Sequence, residues 1–207
     1  MLHWAALSSS QSTHVDKTIL TTDDPEIAEL GDGIREIDEV RIRPSALAKD
    51  DVGLTDVIVD IVEFLSVRNE NYGVVVLLQP TSPLRTGRHI DEAFSVIEQQ
   101  KGIGAVSVCR TEHPREWMGN ISDDLRLDGF FMQTQLNQQS QLFEASYQVN
   151  GAIYIVPTAS LIEARRLFLP KGMVAYVMSR SESVDVDYQF DLDLAEWLMG
   201  RREMNGR

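Results

Sequence analysis

An α/β fold with a mainly parallel sheet is what this sequence predicts, and three observations predict it. Short β-branched runs alternate with stretches whose apolar residues recur at helical spacing. Asp, Pro and Gly punctuate the joins between them. The chain has 207 residues, 43% of them hydrophobic and 25% charged, which suits one domain with a core of its own.

The elements follow in chain order. Residues 18–22 (Thr-Ile-Leu-Thr-Thr) read as a short buried strand. Asp24-Pro25-Glu26 reads as a helix start, with Asp as N-cap, Pro at the first helical position and an acid in the first turn. Val57, Ile58, Ile61, Val62 and Leu65 make one apolar helix face. Residues 74–78 are continuous and apolar, which predicts a central strand covered on both faces. Pro80 and Pro83 then force a loop. Ile90, Ala93, Phe94 and Ile97 seed the next helix, with Arg88 and His89 expected on the surface at its start. Residues 104–109 predict a strand in which Cys109 is a small buried hydrophobe. From about 110 to 146 the rhythm breaks into a polar stretch with Gln133, Gln135, Gln138, Gln139 and Gln141, which reads as an insertion or an arm. Strands are expected at 151–156 and 173–178, and a last helix from Asp191. No internal repeat appears, so residues 1–207 are expected to form one domain.

The charge balance is acidic: 19 Lys and Arg against 32 Asp and Glu give a net −13. That excludes a non-specific nucleic-acid binder, which needs a basic face to displace counterions. A single cysteine excludes an intrachain disulfide and a Cys-rich zinc site. The longest central apolar run is far short of the ~20 residues that span a bilayer. The first residues carry no basic n-region, so the expectation is a cytoplasmic protein without a membrane span.

In open α/β sheets, ligands bind beyond the carboxyl ends of strands. Three segments there could carry chemistry. Residues 77–86 present an amide, hydroxyls and the Arg85 guanidinium directly after a strand; the alternative is a Pro-stiffened turn capped by Thr86. Asn150-Gly151 precedes an apolar strand, which is also the pattern of a plain turn. Ser183-Val184-Asp185-Val186-Asp187 alternates, so an extended backbone puts both carboxylates on one face, about 6–7 Å apart at Cα. Such a pair suits Mg²⁺ and equally suits a solvated acidic edge.

In this order the segments resemble the CMP-nonulosonic acid synthetases, the N-acylneuraminate and legionaminate cytidylyltransferases. The resemblance runs from about Leu2 to Leu198. It is carried by residues 21–24 (Thr-Thr-Asp-Asp), 43–48 (Arg-Pro-Ser-Ala-Leu-Ala), 77–86, 150–155 (Asn-Gly-Ala-Ile-Tyr-Ile) and 183–187. It implies a three-layer, mainly parallel, Rossmann-like nucleotidyltransferase sheet with a small dimerisation arm at about 111–147. It implies transfer of CMP from CTP to a nine-carbon 2-keto sugar acid, with pyrophosphate leaving. By the same resemblance, Asp185 and Asp187 are catalytic and hold Mg²⁺. Gln79, Thr81, Ser82, Gln148, Asn150 and Tyr154 bind the sugar, Arg43 and Asp23 lie at the nucleotide, and the protein is a homodimer.

Several departures accompany the resemblance. Family members begin with a strand ending in a Gly-, Arg- and Lys-bearing loop that cradles the triphosphate. Here the match starts at the following helix, so that first strand and loop, a unit of about 30 residues, are expected to be missing. Gly31-x-Gly33 cannot substitute, since it lacks a third Gly in register. Val52-Gly53-Leu54 stands where relatives carry hydroxyls, and Gln139-Ser140-Gln141 where they carry arginines. Gln148 stands where many sialic-acid enzymes place Arg, which points toward the legionaminic type. The alternative expectation is a truncated or degenerate member that binds sugar or a partner without turnover.

Overall fold

In the computed structural model, residues 1–49, 52–127, 129–130, 139 and 143–205 are described. Helices α1 (Leu2–Ser10), α2 (Pro25–Asp32), α3 (Leu54–Val67), α4 (Gly87–Gln100), α5 (Thr158–Ala164) and α6 (Gln189–Asn205) alternate with six strands. The strands are β1 (Ile19–Thr22), β2 (Glu39–Ile42), β3 (Val74–Leu77), β4 (Gly104–Arg110), β5 (Tyr147–Pro157) and β6 (Met173–Met178).

They form two sheets. β1 and β2 pair in parallel, and the larger sheet has the order β3-β5-β4-β6. Within the larger sheet β3, β4 and β6 run one way and β5 runs against them. The mainly parallel expectation therefore holds, with β5 as the reversed strand.

Helices cover both faces of that sheet, which gives the three layers. On one side Ile90 and Ala93 of α4 pack against Ala105, Ile153, Ile155 and Tyr176. On the other, Ile58 and Val59 of α3 and Leu161 of α5 pack against Val156. β3 sends Val76 toward the first cluster and Val75 and Leu77 toward the second. Both faces are covered, as its continuous apolar run predicts. Its position is not the expected central one: β3 lies at the edge of its sheet. A two-faced apolar run reports the layers above and below a strand, not its neighbours to the side.

Local signals place the ends of elements. Asp24 caps α2, its Oδ1 accepting from the N–H groups of Glu26 (2.7 Å) and Ile27 (3.3 Å). Gly31 lets α2 lie close on β1, since a Cβ there would come 2.3 Å from the Leu20 side chain. Thr86 is the N-cap of α4. Cys109 is buried.

Lys17, just before β1, ties the two sheets at one end. Its ammonium reaches Glu39 at the start of β2 (2.7 Å) and Glu70 ahead of β3 (2.6 Å). The hydrogen bond from Lys17 holds the Glu39 carboxyl below its ordinary value; burial opposes this, and Arg68 adds to it. A carboxyl lowered by folding lends stability above its unfolded pKa and loses it as pH falls toward the folded one. The thermal midpoint should therefore fall as the solution is acidified below pH ~4.5. The fall should be shallower in Lys17→Met. Equal slopes in a pH series by circular dichroism would remove the assignment.

Candidate functional site

The site is built at Gly151, on the strand that joins both halves of the larger sheet. Gly151 has φ +74°, a conformation that glycine adopts without strain. A Cβ at this position would come within 2.6 Å of Gln79 Oε1, 3.5 Å of Asp185 Oδ2 and 3.5 Å of Ser82 Oγ. The structure thus brings together an amide, a carboxylate and a hydroxyl from three of the segments singled out in the sequence. The missing side chain is what leaves room for them.

Asn150 organises the surroundings. Its Oδ1 accepts from Ser107 Oγ (2.6 Å) and from the Ala152 N–H (3.3 Å). Its amide nitrogen donates to Ser183 Oγ (2.9 Å) and Met178 Sδ (3.4 Å). That uses the full capacity of an Asn amide. Asn150 therefore works by position: it ties β4, β5, β6 and the turn before Asp185 into one buried node.

Loop 79–86 divides its polar groups between inside and outside. Ser82 is buried, with Oγ facing the Asn150 carbonyl at 3.4 Å. The Thr81 carbonyl accepts from the Val186 N–H at 2.8 Å, which docks the Asp-x-Asp segment onto the loop. Arg85, one of the groups this loop could have presented to a ligand, is turned inward and is 3% exposed, as the alternative of a stiffened turn has it. It donates to the carbonyls of Gln79 (3.1 Å) and Ala152 (2.7 Å) and to Ser8 Oγ (3.0 Å). All three partners are neutral, and burial pulls its pKa down to about 10. It braces the loop against β5 from below.

Asp185 and Asp187 are exposed, while Val184 and Val186, which alternate with them, are half-buried. The alternation read in the sequence is real, although the segment forms no sheet strand. Neither carboxylate makes a hydrogen bond or ion pair among the described residues. Among those residues there is also no group of three or more His, Cys, Asp or Glu side chains placed to hold a metal.

Tyr154 lies on the other side of the same strand. Burial first, and then the Asp185 charge, raises its hydroxyl pKa. It borders an open cavity of about 300 Å³ with Leu54, Thr55, Arg165, Arg166 and Phe168. The Phe168 ring meets Tyr154 edge-on at 5.7 Å. Sequence reasoning missed these last three residues; the adjacent Arg165-Arg166 pair in an acidic chain was the available signal. Gln148 is exposed on β5, opposite Cys109 of β4.

The expected nucleotide residues meet at the end of the two-stranded sheet. Arg43 Nη2 is ion-paired with Asp23 Oδ1, and the Arg43 N–H donates to the Thr22 carbonyl at 2.8 Å. Among the described residues, two buried polar atoms there, Arg43 Nε and Thr21 Oγ1, have no hydrogen-bond partner.

His89 corrects its expected surface position, for it is 1% exposed. It accepts the Thr86 N–H at Nδ1 (3.2 Å) and meets Glu182 Oε1 through Nε2 (3.1 Å). Burial is the main cause that lowers its pKa; Arg88 and Arg202 add to this and Glu182 opposes it.

The three-layered α/β sheet, with Gln79, Ser82 and Asp185 gathered at Gly151, has a counterpart among solved structures. The structure of CMP:2-keto-3-deoxy-manno-octonic acid synthetase complexed with CTP has this fold. It matches 97% of this chain and 86% of that one, with a TM-score of 0.65 at 13% identity. In sequence, the chain is 28% identical over 196 residues to an N-acylneuraminate cytidylyltransferase of Escherichia coli O18:K1:H7. It is 26% identical over 197 residues to the CMP-N,N'-diacetyllegionaminic acid synthase of Legionella pneumophila. An N-acylneuraminate cytidylyltransferase of Streptococcus agalactiae is 29% identical over 153 residues. These matches take in 94%, 93% and 73% of this chain, and 45%, 82% and 35% of the relatives. The chain thus spans less than half the length of the E. coli relative. No family model matches. Sequence similarity thus runs to N-acylneuraminate cytidylyltransferases and to a CMP-legionaminic acid synthase. The Gln-rich expectation at Gln133, Gln135, Gln138 and Gln141 lies outside the described residues, and among the described residues no helix is long and apolar enough to cross a membrane.

Proposed function

We propose that the protein transfers CMP from CTP to a nonulosonic acid of the sialic or legionaminic type. The observation that carries this reading is the convergence of Gln79, Ser82 and Asp185 on Gly151. In the reaction, the anomeric hydroxyl oxygen of the sugar bonds to the α-phosphorus. The bond from that phosphorus to the bridging oxygen breaks, and pyrophosphate leaves with its electron pair.

In this reading Gln79 and Thr81 orient the sugar from the loop, the buried Ser82 holds the loop to the Asn150 carbonyl in place of its expected sugar contact, and Gln148 and Tyr154 border the sugar from β5. Asn150 keeps these elements in register. Arg43, Asp23 and the unpartnered Thr21 hydroxyl take the nucleotide, since buried polar atoms without partners favour a polar ligand. Asp185 and Asp187 fit Mg²⁺ by donor chemistry: they are hard oxygen ligands with no competing ion pair. Bound there, Mg²⁺ would neutralise phosphate charge.

A homodimer is part of the proposal. The segment expected to be the arm carries exposed Met118, Ile121, Leu125 and Tyr147, apolar surface of the kind that partners cover. Sedimentation at twice the chain mass of 23.3 kDa is the expected result.

The decisive experiment incubates the protein with CTP, Mg²⁺ and N-acetylneuraminic or legionaminic acid and measures pyrophosphate. Release with either sugar is expected; none with any 2-keto sugar acid would favour a protein that binds without turnover. Within that assay, Gln79→Ala should raise the sugar KM about tenfold, the scale of one lost hydrogen bond to a charged or polar ligand. An unchanged sugar KM would take Gln79 out of the sugar site.

A further inference from the structure

The Asp-x-Asp segment has no strand to hold it. Among the described residues, its backbone is pinned by the Val186 N–H bond to the Thr81 carbonyl and by the Asp187 N–H bond to Asp191 Oδ2 at 3.2 Å. The 3₁₀ turn just before it, Arg180–Glu182, is held more firmly, and Glu182 is the reason. Its carboxylate receives Ser179 Oγ at 2.7 Å and His89 Nε2 at 3.1 Å. It also lies 3.3 Å from Arg202 Nη2 of α6 and 3.5 Å from Arg88 Nη2 of α4. Arg202 in turn donates through Nη1 to the Leu84 carbonyl at 2.8 Å, within loop 79–86. One carboxylate therefore joins the start of α4, the sugar-facing loop, α6 and the turn that precedes Asp185.

His89 is the buried member of this junction. Its partners set its tautomer: the Thr86 N–H donates to Nδ1, so the ring proton sits on Nε2 and points to Glu182. Arg88 Nη2, 2.9 Å from the same nitrogen, is then a second donor beside it, and both serve Glu182. The arginines are half-buried to exposed and can swing, whereas the His89 ring is packed among α4 and the Tyr176 ring, 6.4 Å away. Of the donors to Glu182, His89 is the one whose place is fixed by the core.

We propose that His89 is a positioning residue, whose Nε2–H donates to Glu182 and so sets where Asp185 and Asp187 stand relative to loop 79–86. The consequence for catalysis rests on the cytidylyltransferase reading; the anchorage itself does not.

The test therefore begins without turnover. Hydrogen–deuterium exchange of peptides covering 183–188, read by mass spectrometry, reports how firmly the segment is held. In His89→Leu this exchange should quicken about tenfold while β5 keeps its protection. His89→Gln can put an amide N–H where Nε2–H stands and should restore the slow rate. Unchanged exchange in folded His89→Leu overturns the proposal, and so does His89→Gln exchanging as fast as His89→Leu. Should His89→Leu fail to fold, Glu182→Ala, at a half-buried position, gives the same readout from the other side, and unchanged exchange there overturns it as well. In the pyrophosphate assay, His89→Leu should lose about tenfold in kcat with the sugar KM held within about twofold. A raised sugar KM at unchanged kcat overturns the assignment to the carboxylate segment. A wild-type protein with no turnover at all defeats the cytidylyltransferase reading and leaves the exchange result standing by itself.

Discussion

Replacing Asp185 or Asp187 with Asn is expected to lower pyrophosphate release about a thousandfold and to leave the thermal midpoint nearly unchanged. The two halves of this expectation come from different facts. Both side chains are exposed and make no hydrogen bond or ion pair among the described residues, so the fold loses nothing when they change. Surface substitutions of that kind move stability by roughly 0.5 kcal/mol or less. The proposed chemistry, in contrast, needs their charge. Each is a hard oxygen donor, and Asn offers a neutral oxygen in the same place. Loss of a group that stabilises developing phosphate charge costs on the order of 10²–10³ in rate, and loss of a metal ligand can add to that. A variant that folds and turns over like the wild type would remove the residue from the metal site.

The second large effect is on stability. Arg85→Met should lower the thermal midpoint by on the order of 10 °C, measured by circular dichroism or calorimetry. The substitution strips donors from the buried carbonyl of Ala152 and from Gln79, at about 1–3 kcal/mol for each group left unsatisfied. Part of that is offset, because a cation with only neutral partners leaves the interior. The net expectation is about 2–4 kcal/mol. Arg85→Lys should recover little, since one ammonium cannot reach Ser8, Gln79 and Ala152 along the fork of a guanidinium. A midpoint unchanged in the Met variant would mean that Arg85 does not hold the loop.

Much of the fold was legible because its signals are local. Asp24-Pro25 announces a capped helix wherever it stands, and the structure shows both cap bonds. The run 74–78 announces a central strand covered on two faces; the helices on both faces are there, but the strand is an edge strand. β2 was missed, since Glu39-Val40-Arg41-Ile42 offers two apolar residues among charges. The reversal of β5 was also beyond reach. It depends on which strands meet across the chain, and no nearby residue encodes that.

The site divides in the same way. Asn150, Gly151, Gln79 and Asp185 were singled out by segment, but their convergence became visible only in three dimensions. Asn150 looked like a ligand contact and proves to be an internal node, because Ser107 and Ser183, which occupy its amide, lie 43 and 33 residues away. His89 looked like a surface residue beside Arg88. Helical spacing held the correction: residue 89 lies four before Ala93 and one before Ile90, on the buried side of α4.

The outer edge of β3 has one more consequence, and it concerns how molecules of this protein meet each other. Among the described residues, β3 pairs with β5 alone, so the backbone groups along its other side are a template for an incoming strand. Val74–Leu77 carries none of the usual guards of such an edge: no lysine, no proline and no bulge. What remains is long-range repulsion. A net charge of −13 keeps like molecules apart in dilute buffer, and added salt shortens its reach to about 10 Å at 0.1 M. Ionic strength thus sets how far the acidic surface holds other molecules from the side of β3 that pairs with no strand among the described residues.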